Sequence, residues 1–164
     1  MTQQVAHFRD SVVPQMIGTS TCDGVLTYAN GMWAWPDSEV ERFIEAGKKV
    51  HKVDVTGTGV EIADVLDVEV FDASPGMVPA WVDKRWATHS TAAVYCARTT
   101  VPSVITALAG RPCYLIVADW TGVPHLPVLD LPHNVVIAAV QYASCPDWDE
   151  IAVYSQEWLE GKHL

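Results

Sequence analysis

Residues 63–76 read ADVLDVEVFDASPG. The run Val65–Phe71 is apolar except at Asp67 and Glu69, and Asp-Ala-Ser-Pro-Gly cuts it off. That pattern and that breaker predict a strand over Val65–Phe71. Val78–Thr88, beyond the break, predicts a helix. A strand apolar on both faces is covered on both sides, as in parallel sheets flanked by helices. The stretch therefore reads as one βα unit, and the fold follows from how often that unit recurs.

It recurs along most of the chain. Val25–Asn30 reads as a strand, followed by the loop GMWAWP. A helix starts near Pro36, with Asp37 or Ser38 able to cap it and Val40, Phe43 and Ile44 on one face; Gly47 stops it. Lys49–Val55 predicts a strand and TGTG at 56–59 a turn. Beyond Thr88 come a short strand at Ala92–Cys96 and a helix at Val101–Ala109, with Pro102 in its first turn and Gly110 ending it. Cys113–Ala118 is a strand, Gly122–Pro132 a Pro-rich loop, Val135–Gln141 a strand, and Ile151–Leu159 a strand or a helix. About five or six such units fall short of the eight of a full (β/α) barrel. The expected fold is α/β: a shortened or incomplete TIM-like barrel with mostly parallel strands, or an open α/β sheet. The 164 residues suit a single domain spanning the chain.

Composition narrows the function. The formal net charge of −10 opposes binding to nucleic-acid phosphates or anionic membrane surfaces. No apolar run approaches the roughly 20 residues needed to span a bilayer, and MTQQVAHFRDSVVPQMIG predicts no signal peptide. Cys22, Cys96, Cys113 and Cys145 are widely spaced without a CxxC pair, and are expected to be free thiols, mostly buried.

Polar residues gather where parallel α/β folds place function, at the C-terminal ends of strands. Asn30, Asp67 with Glu69, Asp119 with Trp120, and Gln141 with Tyr142 all hold such positions. Residues two apart on a strand share a face, so Asp67 and Glu69 project together. On an inward face, desolvation and like charge make one of them titrate high. A protonated acid beside an ionised one is the chemistry of glycoside hydrolysis. The plainer alternative is an outer strand face with two solvated acids. Trp33, Trp35 and Trp120 lie in loops near these acids and could stack on sugar rings; ordinary packing is the competing explanation.

Other chemistries find little support. No HxH or HExxH spacing suggests a metal site, so no metal and no cofactor is expected. There is no GxSxG elbow and no phosphate-binding GxxxxGK[ST] loop. Gly57 and Gly59 lack the third glycine of a dinucleotide fingerprint.

The ordered set of motifs resembles glycoside hydrolase family 25, the lysozyme-type muramidases, in its short actinobacterial and phage form. VLDVEVFDASPGMVPAWV (65–82) is similar to that family's Asp-x-Glu strand and following helix. AAVYCARTTVPSVITAL (92–108), CYLIVADWTGVPHLP (113–127) and VVIAAVQYASCPDWDEIAV (135–153) are similar to the segments that follow it. The resemblance implies hydrolysis of peptidoglycan or a related amino-sugar glycan, with Glu69 as proton donor, Asp67 as its partner carboxylate and Asp149 as a late active-site acid. It implies Asn30, Trp33, Trp35, Asp119, Trp120, Gln141 and Tyr142 as substrate-binding residues. It also implies retention of configuration with help from the substrate's acetamido group. The family carries an Asp near the end of its first strand; here Asn30 aligns to it, with Asp23 as a substitute. Loss of that carboxylate leaves a second reading open: a weak or inactive relative serving as a glycan-binding or structural protein, such as one of a phage. The location expected is cytoplasmic or phage-associated, with lysis giving access to a cell wall.

Overall fold

The computed structural model describes residues 3–164. Eight strands close into one barrel in sequence order. They are β1 (Ala6–Asp10), β2 (Gly24–Tyr28), β3 (Lys49–Asp54), β4 (Val65–Val68), β5 (Ala93–Ala97), β6 (Cys113–Ala118), β7 (Val135–Ser144) and β8 (Asp149–Val153). Neighbours from β1 through β7 pair in parallel. β8 runs antiparallel to both β7 and β1 and closes the ring. The α/β, mostly parallel expectation holds. The barrel is closed rather than incomplete because of two strands, one that the sequence pattern missed and one that it left open as a strand or a helix (Ile151–Leu159).

The first of these is β1. Ala6, Phe8 and Asp10 point inward and are buried, whereas His7 and Arg9 point outward. The outward pair meets Glu150 of β8: His7 Nε2 contacts its carboxylate, and Arg9 Nη2 lies 3.0 Å from Oε1. This face is sealed by ion pairs, so the strand alternates and does not look like its apolar neighbours. The second is β8, a hairpin return from β7 that needs no crossover helix.

Helices cover only part of the outside. α1 (Asp37–Glu45) packs Val40 and Phe43 against Val25 and Trp35. α2 (Val78–Thr88) and α3 (Val101–Leu108) lie over the outward residues Leu66, Val68, Val94, Cys96, Leu115 and Val117. α4 (Gln156–Leu159), capped by the Ser155 hydroxyl, pushes fully buried Trp158 into the N-terminal end of the barrel. There Trp158 stacks on His51 with ring centroids 4.0 Å apart. Gly24 is required beside this plug: a Cβ there would lie 2.3 Å from the Phe8 ring.

The interior is thus graded. Phe8, Leu26, Val53, Val65, Ile151 and Trp158 fill the N-terminal end and the middle. Polar side chains occupy the other end. All four cysteines are free, with Cys22, Cys96 and Cys113 buried. Among the described residues, no helix is long and apolar enough to cross a membrane.

Candidate active site

Strand ends bring four acids together at the C-terminal mouth. A cavity of about 140 Å³ is lined by Asp10, Asp67, Glu69, Tyr95, Gln141 and Asp149, with Trp120 at its edge. Asp10 ends β1 and pairs in register with Asp149. Because β8 is antiparallel, its first residue, not its last, lies at the mouth. Asp67 sits on β4 opposite Tyr95 of β5. Glu69 follows the end of β4 and shares its inward side with Asp67.

β4 is shorter than the sequence suggests. It stops at Val68, where the predicted strand continues to Phe71. The Asp72 amide donates to the Glu69 carbonyl at 3.2 Å, and the Ala73 amide to the Asp67 carbonyl at 3.1 Å. The chain turns back at once. This leaves Val70 and Phe71 exposed and returns Asp72 to Glu69.

Gln141 organises the other acids. Its Nε2 donates to Asp149 Oδ2 at 2.8 Å and reaches Asp10 Oδ1 at 3.3 Å. Its Oε1 accepts from the Tyr95 hydroxyl. Asp67 has no such partner: its Oδ1 is buried without a hydrogen bond, although the residue is only 5% exposed.

Burial and like charge set the protonation states. Desolvation, then the charges of Glu69, Asp72 and Asp10, push Asp67 up to about 9, so it is neutral at pH 7. Burial first, then the Asp149 charge, also holds Asp10 well above the usual carboxylate range. Glu69 is raised by burial and by Asp72, with Tyr95 opposing. Asp149 is raised by burial, with hydrogen bonds from Ser144 and Asp10 opposing. Burial thus favours the protonated form of both deep acids, Asp67 and Asp10. Of the two acids placed on one side by the sequence, both line the mouth and Asp67 is the one pushed highest.

Two further cavities adjoin the mouth. One of about 630 Å³ shares Tyr28, Asp67 and Glu69, and runs past Asn30, Trp33 and Phe71. One of about 240 Å³ shares Asp10, Tyr28 and Asp149. No Lys, Arg or His lines any of the three. Asp67, Glu69 and Asp72 each offer an oxygen within 4.8 Å of the others and could hold a cation.

The remaining predicted residues divide. Trp33 and Trp120, each 53% exposed, line the cavities. Trp35 does not: it is buried against Phe43, with its indole donating to the Ser11 carbonyl at 2.8 Å. Asp119 accepts from Arg98 Nη1 and His125 Nε2, both at 2.8 Å, and lines none of these cavities. His125 and Arg98 overcome the burial that opposes ionisation and hold its carboxyl below the usual range. It pins the loop after β6. Tyr142 turns outward beside Val140 and Tyr154.

Asn30 is not at the end of the first strand, because β1 precedes it. It lines the large cavity, and its amide donates to Asp54 Oδ1 at 2.7 Å. Asp54 also accepts from the Gly57 and Gly59 amides and the Trp81 indole, so Asn30 belongs to the network that fixes the loop after β3. Asp23 precedes β2 at the opposite end, where it accepts from the His7 amide. The acid at the end of the first strand is Asp10. The alternation Ala6-x-Phe8-x-Asp10 was its signal. Tyr95, two residues along β5 from Ala93, was marked only by its register with Asp67.

Comparison of the chain with protein-family profiles, curated proteins and solved structures gives no match.

Proposed function

We propose that the protein hydrolyses an amino-sugar polymer, peptidoglycan or a related glycan, with Glu69 as general acid/base. The observation that carries this reading is the meeting of Asp10, Asp67, Glu69 and Asp149 at one barrel mouth with no basic residue among them.

Glu69 is the only one of the four classed as exposed, and its pKa is raised. It combines access to a leaving oxygen with a tendency to hold a proton, the two requirements of a general acid. Asp149, oriented by the Gln141 amide, would in its ionised form stabilise positive charge at the sugar carbon. Asp67 is neutral, and its Oδ1 lacks a protein partner. It is suited to hydrogen-bond the substrate's acetamido group. One oxygen of Asp67 lies within 4.8 Å of one of Glu69. A substrate acetamido group held there would serve in a retaining, substrate-assisted reaction, as the family resemblance implies.

The finer architecture this reading implies is a shortened TIM-like barrel, with helices missing after β1, β3 and β6 and an inverted last strand. The case for a binding-only relative rested on the small size of the chain and on Asn30 replacing the first-strand acid. Asp10 supplies an acid there, which favours the enzyme. Clearing of purified peptidoglycan by the wild type beside Glu69→Gln tests the proposal. Clearing by the wild type alone supports it; equal clearing removes Glu69 from the chemistry.

A further inference from the structure

The turn after β4 holds a residue in a conformation its side chain disfavours. The Asp72 amide closes this turn on the Glu69 carbonyl, and Phe71 in its third position has φ +78°. That position favours glycine, because a Cβ is strained at positive φ. The other positive-φ residue that is not glycine, Ala109, ends α3 and is followed by Gly110, a common way to stop a helix. Phe71 has no such explanation. Glycine would make the same turn and return Asp72 to Glu69 equally well; what phenylalanine adds is a ring.

That ring makes no use of the protein interior. Phe71 is 102% exposed, yet it lines the 630 Å³ cavity with Glu69. Val70, Met32 and Trp33 line the same cavity and are also exposed. An acidic floor without basic residues, rimmed by apolar side chains, disfavours anions. It suits a neutral molecule that has both hydroxyl groups and an apolar C–H face.

We propose that Phe71 is a binding platform: the strained turn presents its ring, with Trp33, to the apolar face of an uncharged N-acetylated sugar unit next to the scissile bond. This rests on the glycosidase reading for the class of ligand. Flattened carbohydrate faces stack on aromatic rings, and the turn holds the backbone that carries this one.

The test is calorimetric titration with an N-acetylglucosamine hexamer, using the wild type, Phe71→Gly and Phe71→Trp, with a melting curve for each. Phe71→Gly is expected to melt at or above the wild-type temperature, since the strain is gone. It should bind about tenfold more weakly, the loss expected of one aromatic contact. Phe71→Trp should stay close to wild type in affinity. A hyaluronan oligomer, in which every second unit carries a carboxylate, should bind more weakly than the neutral hexamer. Equal affinity of Phe71→Gly and wild type, or no binding by the wild type, overturns the platform. Binding that weakens in Phe71→Gly without any cleavage of cell-wall glycan by the wild type would keep the platform and remove the hydrolase.

Discussion

Gln141 donates its amide to Asp149 at 2.8 Å while its carbonyl accepts from Tyr95, joining the acid on β8 to the interior of the parallel strands. One fully enclosed side chain thus fixes the orientation of a carboxylate at the mouth. The relation works because β7 runs on to Ser144, beyond the end predicted for it, and carries β8 back into the ring.

Gln141→Ala should therefore do more than remove a contact. Asp149 and Asp10 lose a shared donor, and the Tyr95 hydroxyl loses its acceptor. Buried groups left without partners cost roughly 1–3 kcal/mol each. Differential scanning calorimetry should show a fall of several degrees in Tm, and activity should fall at every pH. Unchanged stability would mean that the network is not formed.

Asp67 makes stability depend on pH. Its pKa is raised from 3.8 to about 9 in the folded chain. Between those values the folded state holds a proton that the unfolded state has released, so stability falls as pH rises through this window and is fully present below it. Asp67→Asn cannot ionise. Its Tm should match the wild type near pH 4 and exceed it by roughly 5 °C or more near pH 8, at about 2–4 °C per kcal/mol for this size. Parallel curves for the two proteins across that range would contradict a neutral Asp67.

The pH–rate profile follows from the two acids nearer solvent. Glu69 must hold its proton and Asp149 must release its own, and both are raised above their usual ranges. Activity should be lost on the alkaline side as Glu69 ionises and on the acid side as Asp149 protonates. Asp149→Asn should lower the rate and remove the acid limb only, read from initial rates across pH.

The substrate-assisted reading predicts stereochemistry. The first product should keep the anomeric configuration of the substrate. Proton NMR of a chemically defined oligosaccharide, followed during the first turnovers, distinguishes retention from inversion.

Much of the architecture was legible because burial on both faces leaves continuous apolar runs, as in Cys113–Ala118, where prediction and structure coincide. α2 was legible for its breaker-bounded length, Val78–Thr88. β1 was not, because ion pairs replace a helix on its outer face and its pattern alternates. Asp10 went unseen with it, and the search for a first-strand acid settled on Asn30. That Asp67 and Glu69 share a side followed from strand periodicity; that this side faces the barrel mouth did not. That Trp35 packs under α1 whereas Trp33 reaches the groove depends on a loop path that periodicity does not carry.

Release of reducing ends from purified peptidoglycan, by wild type and by Glu69→Gln with binding to the same material measured in parallel, tests the central claim most directly. The account predicts steady release by the wild type and a loss of roughly 100-fold or more in Glu69→Gln, with binding retained. Equal release by both proteins would contradict it.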